Sequence, residues 1–218
     1  TFPYANEQCG PGRIQVPIAM NTATQIGQIL DRSDPQGGTP TGDTLHVALE
    51  SFLASSPGGD MASPPRYVLL VTDGQPTCPA SRGSSSNATD LELDKKLTIE
   101  ALDQLAAENI KTFVVGYDAE LDPLLAAALT EFAKHGKTER YYPVQDEKTL
   151  VQAFTTISSE IVSCTFSFDK AVEDPRYLRV EFDGELLLMN TPNGWTIEGQ
   201  SVTLQGASCE KLQGRASH

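Results

Sequence analysis

Positive charge is scarce in this sequence. Lys plus Arg number 16 against 29 Asp plus Glu, a formal net charge of −13. A chain so acidic is repelled by nucleic acid and by anionic membranes, so phosphate backbones are poor partners and a cation is the more natural small one. Long apolar runs are missing as well; none approaches the roughly 18 residues of a membrane span. The four cysteines, Cys9, Cys78, Cys164 and Cys209, form no C-x-x-C, and the three histidines, His46, His135 and His218, lack zinc-ligand spacing. Neither an initiator methionine nor a signal peptide precedes Thr1-Phe2-Pro3-Tyr4, and the expectation is a processed or excised piece. Four widely spaced cysteines point to two disulfides and an oxidising compartment, the alternative being buried free thiols in a cytosolic protein.

What is present is enough for a packed core. Hydrophobic residues make up 39% of 218 and charged residues 21%, which sets wholesale disorder aside and fits one large domain, with or without an appendage. Tyr67-Val68-Leu69-Leu70-Val71 is a continuous apolar run, expected of a strand buried on both faces. Thr112 to Gly116 is a second, and Tyr141-Tyr142-Pro143-Val144 a third whose proline suits a sheet edge. Between them Leu45, Ala48, Leu49 and Phe52 follow helical spacing from Thr44 to Leu53. Further helices are expected over Asp90–Glu108, over Leu121–Lys134 with Gly136 as stop, and after an N-cap at Asp146. Asp90, Glu92 and Asp94 are expected to line a solvated first turn. This alternation predicts an α/β fold, a doubly wound and mostly parallel sheet with helices on both faces.

The last fifty residues change character. Tyr177 to Phe182, the turn Asp183-Gly184, and Glu185 to Met189 read as a hairpin, and Ser201 to Gln205 as a third short strand. Asn193-Gly194 is another turn. The expected organisation is a domain over 1–163, a small antiparallel β appendage over 164–213 with the boundary near Cys164, and a tail at 214–218. Asn87-Ala88-Thr89 matches a glycosylation sequon, a triplet that also arises by chance.

Enzyme templates fail. There is no phosphate-binding G-x-x-x-x-G-K-[ST] and no G-x-S-x-G; Gly10-Pro11-Gly12 opens like a dinucleotide loop but Gln15 stands at the third glycine. One constellation remains. Gly37-Gly38-Thr39-Pro40-Thr41 precedes a helix, and the Tyr67–Val71 run ends in Thr72-Asp73-Gly74. Strand carboxyl ends and adjoining loops form the ligand edge of a parallel sheet. The Asp73 carboxylate facing the Thr39 hydroxyl there would suit Mg²⁺. Equally, Asp73 closes a turn and Thr39 caps a helix; the residue types alone do not choose.

The stretches GGTPTGDTLHVAL, RYVLLVTDGQPTC and IKTFVVGY, in this order and spacing, resemble a von Willebrand factor type A domain, over about Thr1 to Ser163. Cys78 after TDGQP and the Cys164-to-Cys209 tail resemble a bacterial secreted subgroup. The resemblance implies a cell-adhesion or binding module at the cell surface, outside the cell or in the periplasm. It implies a metal-ion-dependent adhesion site with Thr39 and Asp73 as ligands, usually of Mg²⁺, with Ca²⁺ or Mn²⁺ as substitutes. The family's first metal motif, D-x-S-x-S, is not found. Asp31-Arg32-Ser33-Asp34 imitates it but stands too close to Thr39 for the helix and hairpin that belong between them.

By this resemblance Thr1–Tyr4 ends the second strand, Arg13 to Ile18 is its antiparallel neighbour, and the first strand and first helix are absent from this polypeptide. The expectation is a cleaved chain whose gap is filled by the upstream fragment of the same protein or by a neighbouring subunit, with metal held only when the D-x-S-x-S segment is supplied. The alternative is a structural component of an extracellular assembly that keeps the fold without metal. Placed on the family's strand order, Cys9 and Cys78 share a sheet edge and are expected to pair, while Cys164 and Cys209 bracket the C-terminal unit and form the second bond.

Overall fold

A computed structural model describes residues 9–33, 37–54, 65–78, 88–168, 172 and 174–213. The strand read at Thr1–Tyr4, the loop around Gly83-Ser84-Ser85-Ser86, Asn87 of the sequon and the 214–218 tail lie outside them. The chain divides into two compact units, Thr1–Gln145 and Asp146–His218.

In the first unit, α1 (Ala23–Leu30) and α2 (Thr41–Ala54) precede β1 (Tyr67–Thr72); α3 (Ala88–Ala107), β2 (Lys111–Tyr117), α4 (Pro123–His135) and β3 (Tyr142–Val144) follow. The strands form a parallel sheet in the order β1-β2-β3. Pro143 therefore falls on an edge strand, where its missing N–H breaks no ladder. Leu70 of β1 and Val114 of β2 share a core with Leu45 and Leu49 of α2, Leu102 and Leu105 of α3, and Leu129 and Phe132 of α4. Helix α4 starts where Pro123 sits in the first turn and the Asp122 carboxylate accepts the amides of Leu124 and Leu125.

Two expectations change here. The apolar run of β1 predicts burial on both faces, yet Leu69 and Val71 are 44% and 45% exposed. Among the described residues β1 pairs with β2 alone, so no described strand joins its outer edge and Leu69 and Val71 stay exposed on one face. Arg13 to Ile18 is not a strand. With no neighbouring strand to pair with among the described residues, its backbone has no ladder to join, and Ile14 and Ile18 are 51% and 78% exposed.

The second unit opens on α5 (Glu147–Ile161), entered through a capping box between Asp146 and Thr149. An antiparallel sheet of β4 (Thr165–Ser167), β8 (Ser201–Leu204) and β7 (Trp195–Glu198) and a hairpin of β5 (Val180–Phe182) and β6 (Glu185–Leu187) follow, with α6 (Gly206–Leu212) last. Trp195, Val202 and Leu204 form its core, and the Trp195 indole donates to the Leu187 carbonyl at 3.0 Å. Cys164 and Cys209 are joined, Cα–Cα 5.5 Å, and Gln213 donates to the carbonyls of Ser159 and Val162. These ties bind α6 to the end of α5. They account for contacts that divide at Gln145/Asp146, ahead of the boundary near Cys164 read from the sequence.

Candidate functional site

The carboxyl end of β1 leads into a short strap, Asp73 to Cys78. Thr72 opens it: its hydroxyl donates to the Gly74 carbonyl at 3.0 Å and accepts the Gly74 amide at 3.3 Å. The turn is thus held by Thr72. Asp73 itself is exposed, and among the described residues no hydrogen bond or ion pair engages its carboxylate.

Four residues on, Thr77 stitches the strap to the loop before α2. The Thr39 amide donates to Thr77 Oγ1 at 2.8 Å, and the Thr77 amide returns to the Thr39 carbonyl at 3.2 Å. Below them Thr44 Oγ1 donates to the Pro40 carbonyl and accepts the Gly12 amide. Cys78 ends the strap in its disulfide to Cys9, Cα–Cα 5.4 Å. The segments carrying Thr39 and Asp73 are therefore brought together at one sheet edge. Thr41 Oγ1, two residues from Thr39, is buried without a hydrogen-bond partner.

The sequence pattern gave no role to Thr77 and misplaced Asp94. Asp94 is not on a solvated first turn: it is 1% exposed. Helix α3 begins at Ala88, so Asp94 lies in its second turn, on the stripe continued by Thr98, Ala101, Leu102 and Leu105, all fully buried. That spacing was the available signal. Its carboxylate accepts the backbone N–H of Cys78. Burial raises its pKa from 3.8 to about 6, against the Cys78 hydrogen bond and with help from the charge of Asp43.

Well below pH 3.8 Asp94 is protonated folded or unfolded and adds no pH dependence. As pH rises through 4 to 6 the unfolded chain ionises first, so stability falls with increasing pH. The full difference is worth about 3 kcal/mol. Asp94→Asn, which keeps an acceptor for Cys78, is expected to raise stability at pH 7.5 by up to about 3 kcal/mol and to flatten this part of the profile. Urea denaturation at pH 4.5 and 7.5 measures both; an unchanged or lower midpoint at pH 7.5 contradicts it.

Among the described residues no group of three or more His, Cys, Asp or Glu side chains is placed to hold a metal ion. The Thr39 hydroxyl and the Asp73 carboxylate are two oxygen donors, fewer than a hard divalent cation requires. They fit such an ion only as part of a larger donor set. Among the described residues, no helix is long and apolar enough to cross a membrane.

A family model described as von Willebrand factor type A domain matches residues 12–156. Among curated proteins and among solved structures no match was found. The three apolar stretches of the parallel sheet, the Thr39 loop and the Asp73 strap all fall inside the matched span, and the chain belongs to the von Willebrand factor type A domain family.

Proposed function

We propose that this chain is a non-enzymatic binding module that recognises a protein or acidic ligand at the carboxyl edge of its parallel sheet. The observation that carries the reading is the pair of hydrogen bonds between Thr39 and Thr77, which hold the Thr39 loop against the strap begun by Asp73. Bound there, Mg²⁺ would supply a Lewis-acid bridge to a carboxylate of the partner. Thr39 and Asp73 would each give one oxygen, and the remaining ligands would come from a D-x-S-x-S segment outside this chain and from water. Two disulfides fit an extracellular, cell-surface or periplasmic setting.

A second reading, a structural component of an extracellular assembly without metal, draws on a different observation. The open edge of β1, with Leu69 and Val71 exposed beside it, is a surface for strand addition. The strand would come from an upstream fragment of the same protein or from a neighbouring subunit.

Calorimetric titration with Mg²⁺ and Mn²⁺ separates the two. The isolated 218-residue chain is expected to bind weakly or not at all. A D-x-S-x-S segment supplied in trans is expected to restore stoichiometric binding, and Asp73→Ala to abolish it. Tight binding that survives Asp73→Ala would sink the site assignment; no binding with the segment present would favour the structural reading.

A further inference from the structure

Asp94 joins helix α3 to the strap, and the strap holds Thr39. The carboxylate accepts the Cys78 amide; Thr77, one residue earlier, exchanges two hydrogen bonds with Thr39. The surroundings leave little slack. Helix α2 crosses α3 at Gly42, where an added Cβ would lie 3.1 Å from the backbone of Leu97 and Thr98, one turn from Asp94.

Among the described residues, the charge that acts on Asp94 has its own sign. Asp43 on α2 repels it. Asp90 and Lys95 share its helix, and Lys95 Nζ is taken by Glu131 of α4 at 2.7 Å. His135 of α4 meets Asp103 at 2.8 Å, more than two turns along. Strand β2 carries one Lys or Arg, Lys111, at its exposed start, and the strap carries the exposed Asp73 besides the Cys78 amide and disulfide. A buried carboxylate beside a like charge, held by one amide, takes up a proton in mild acid.

We propose that Asp94 is a pH-sensitive latch for the binding edge: ionised, it pins Cys78 and through Thr77 steadies the Thr39 loop; protonated, it loosens that hold. A hydrogen bond to a carboxylate is roughly twice as strong as one between neutral groups, so protonation weakens the pin while relieving the burial of charge. Global stability and local order therefore move in opposite directions on acidification, which a purely structural role would not produce. The device rests on the reading of the Thr39–Asp73 edge as the binding edge. Its test is made on the metal-free chain, so it is decided whether or not a cation binds.

Amide exchange followed by NMR, expressed as protection factors, reads the latch directly. Between pH 7.5 and 5 the protection of the Cys78 amide is expected to fall about tenfold, with a midpoint near pH 6, and that of the Thr39 amide to fall with the same midpoint. Asp94→Asn is expected to flatten both profiles, and Asp43→Asn to move the midpoint to lower pH by removing the like charge. The wild-type profiles stand even if a variant fails to fold. Protection independent of pH, a Cys78 change that does not reach Thr39, or an unaltered profile in Asp94→Asn overturns the proposal.

Discussion

Replacing Cys9 and Cys78 together by alanine is expected to lower the stability of the first unit by about 4 kcal/mol. The bond closes a loop with a sequence separation of 69, and in the chain-entropy account a cross-link of that length removes much of the freedom of the unfolded chain. The folded state loses less, since Cys78 is 2% exposed and its amide stays with Asp94. The loss should appear as a lower urea midpoint, with a smaller slope in the wild type because its cross-linked denatured state exposes less surface. A second consequence is local: with the strap free of Cys9, the Thr39 amide should exchange faster. A midpoint within experimental error of wild type would mean that the bond does not constrain the unfolded chain more than the folded one, and would overturn the prediction.

Phe132→Ala is expected to cost about 3–5 kcal/mol. Phe132 is 1% exposed on α4 and packs in the core that holds Leu102, Leu105, Ile110 and Leu129. Removing the ring leaves a cavity between two helices and a sheet that cannot close over it without moving α4 from β2. Leu121→Ala is the contrast. Leu121 precedes the same helix but is 78% exposed, and its truncation is expected to stay within about 0.5 kcal/mol. Equal losses in the two variants, by urea denaturation, would show that burial at position 132 is not what stabilises the unit.

Much of the fold was legible because the signals were periodic. The stripe Leu45, Ala48, Leu49, Phe52 gave α2, the two aliphatic runs gave β1 and β2, and Asp146 announced α5 as its N-cap; the Thr149 half of the capping box came only from the structure. The pairings Cys9–Cys78 and Cys164–Cys209 followed from the family resemblance and agree with the structure. The less periodic pieces escaped. Helix α1 has no buried residue to mark it. Strands β4 and β7, three and four residues long, were not read, whereas the equally short β5 and β6 were found through the Asp183-Gly184 turn between them. Arg13 to Ile18 shows the reverse error: it has strand-like residues, but a strand is a property of a pair and no partner lies beside it among the described residues.

The site divides along the same line. Motif and family resemblance together put forward two candidate oxygens, Thr39 after two glycines and Asp73 at a strand end, because loop and strand-end chemistry is local and readable in a short window. How the Thr39 loop and the strap after Asp73 are tied together could be read only from the folded chain. Thr77 looked like any threonine until its hydroxyl met the Thr39 amide across a separation of 38 residues. Asp94 looked like a first-turn carboxylate, but its phase on α3 places it on the stripe of Thr98, Ala101, Leu102 and Leu105 that packs inward, where burial and Asp43 raise its pKa to about 6. Hydrogen bonds between distant segments and the desolvation of a charge depend on what packs alongside, and no window along the chain contains that information.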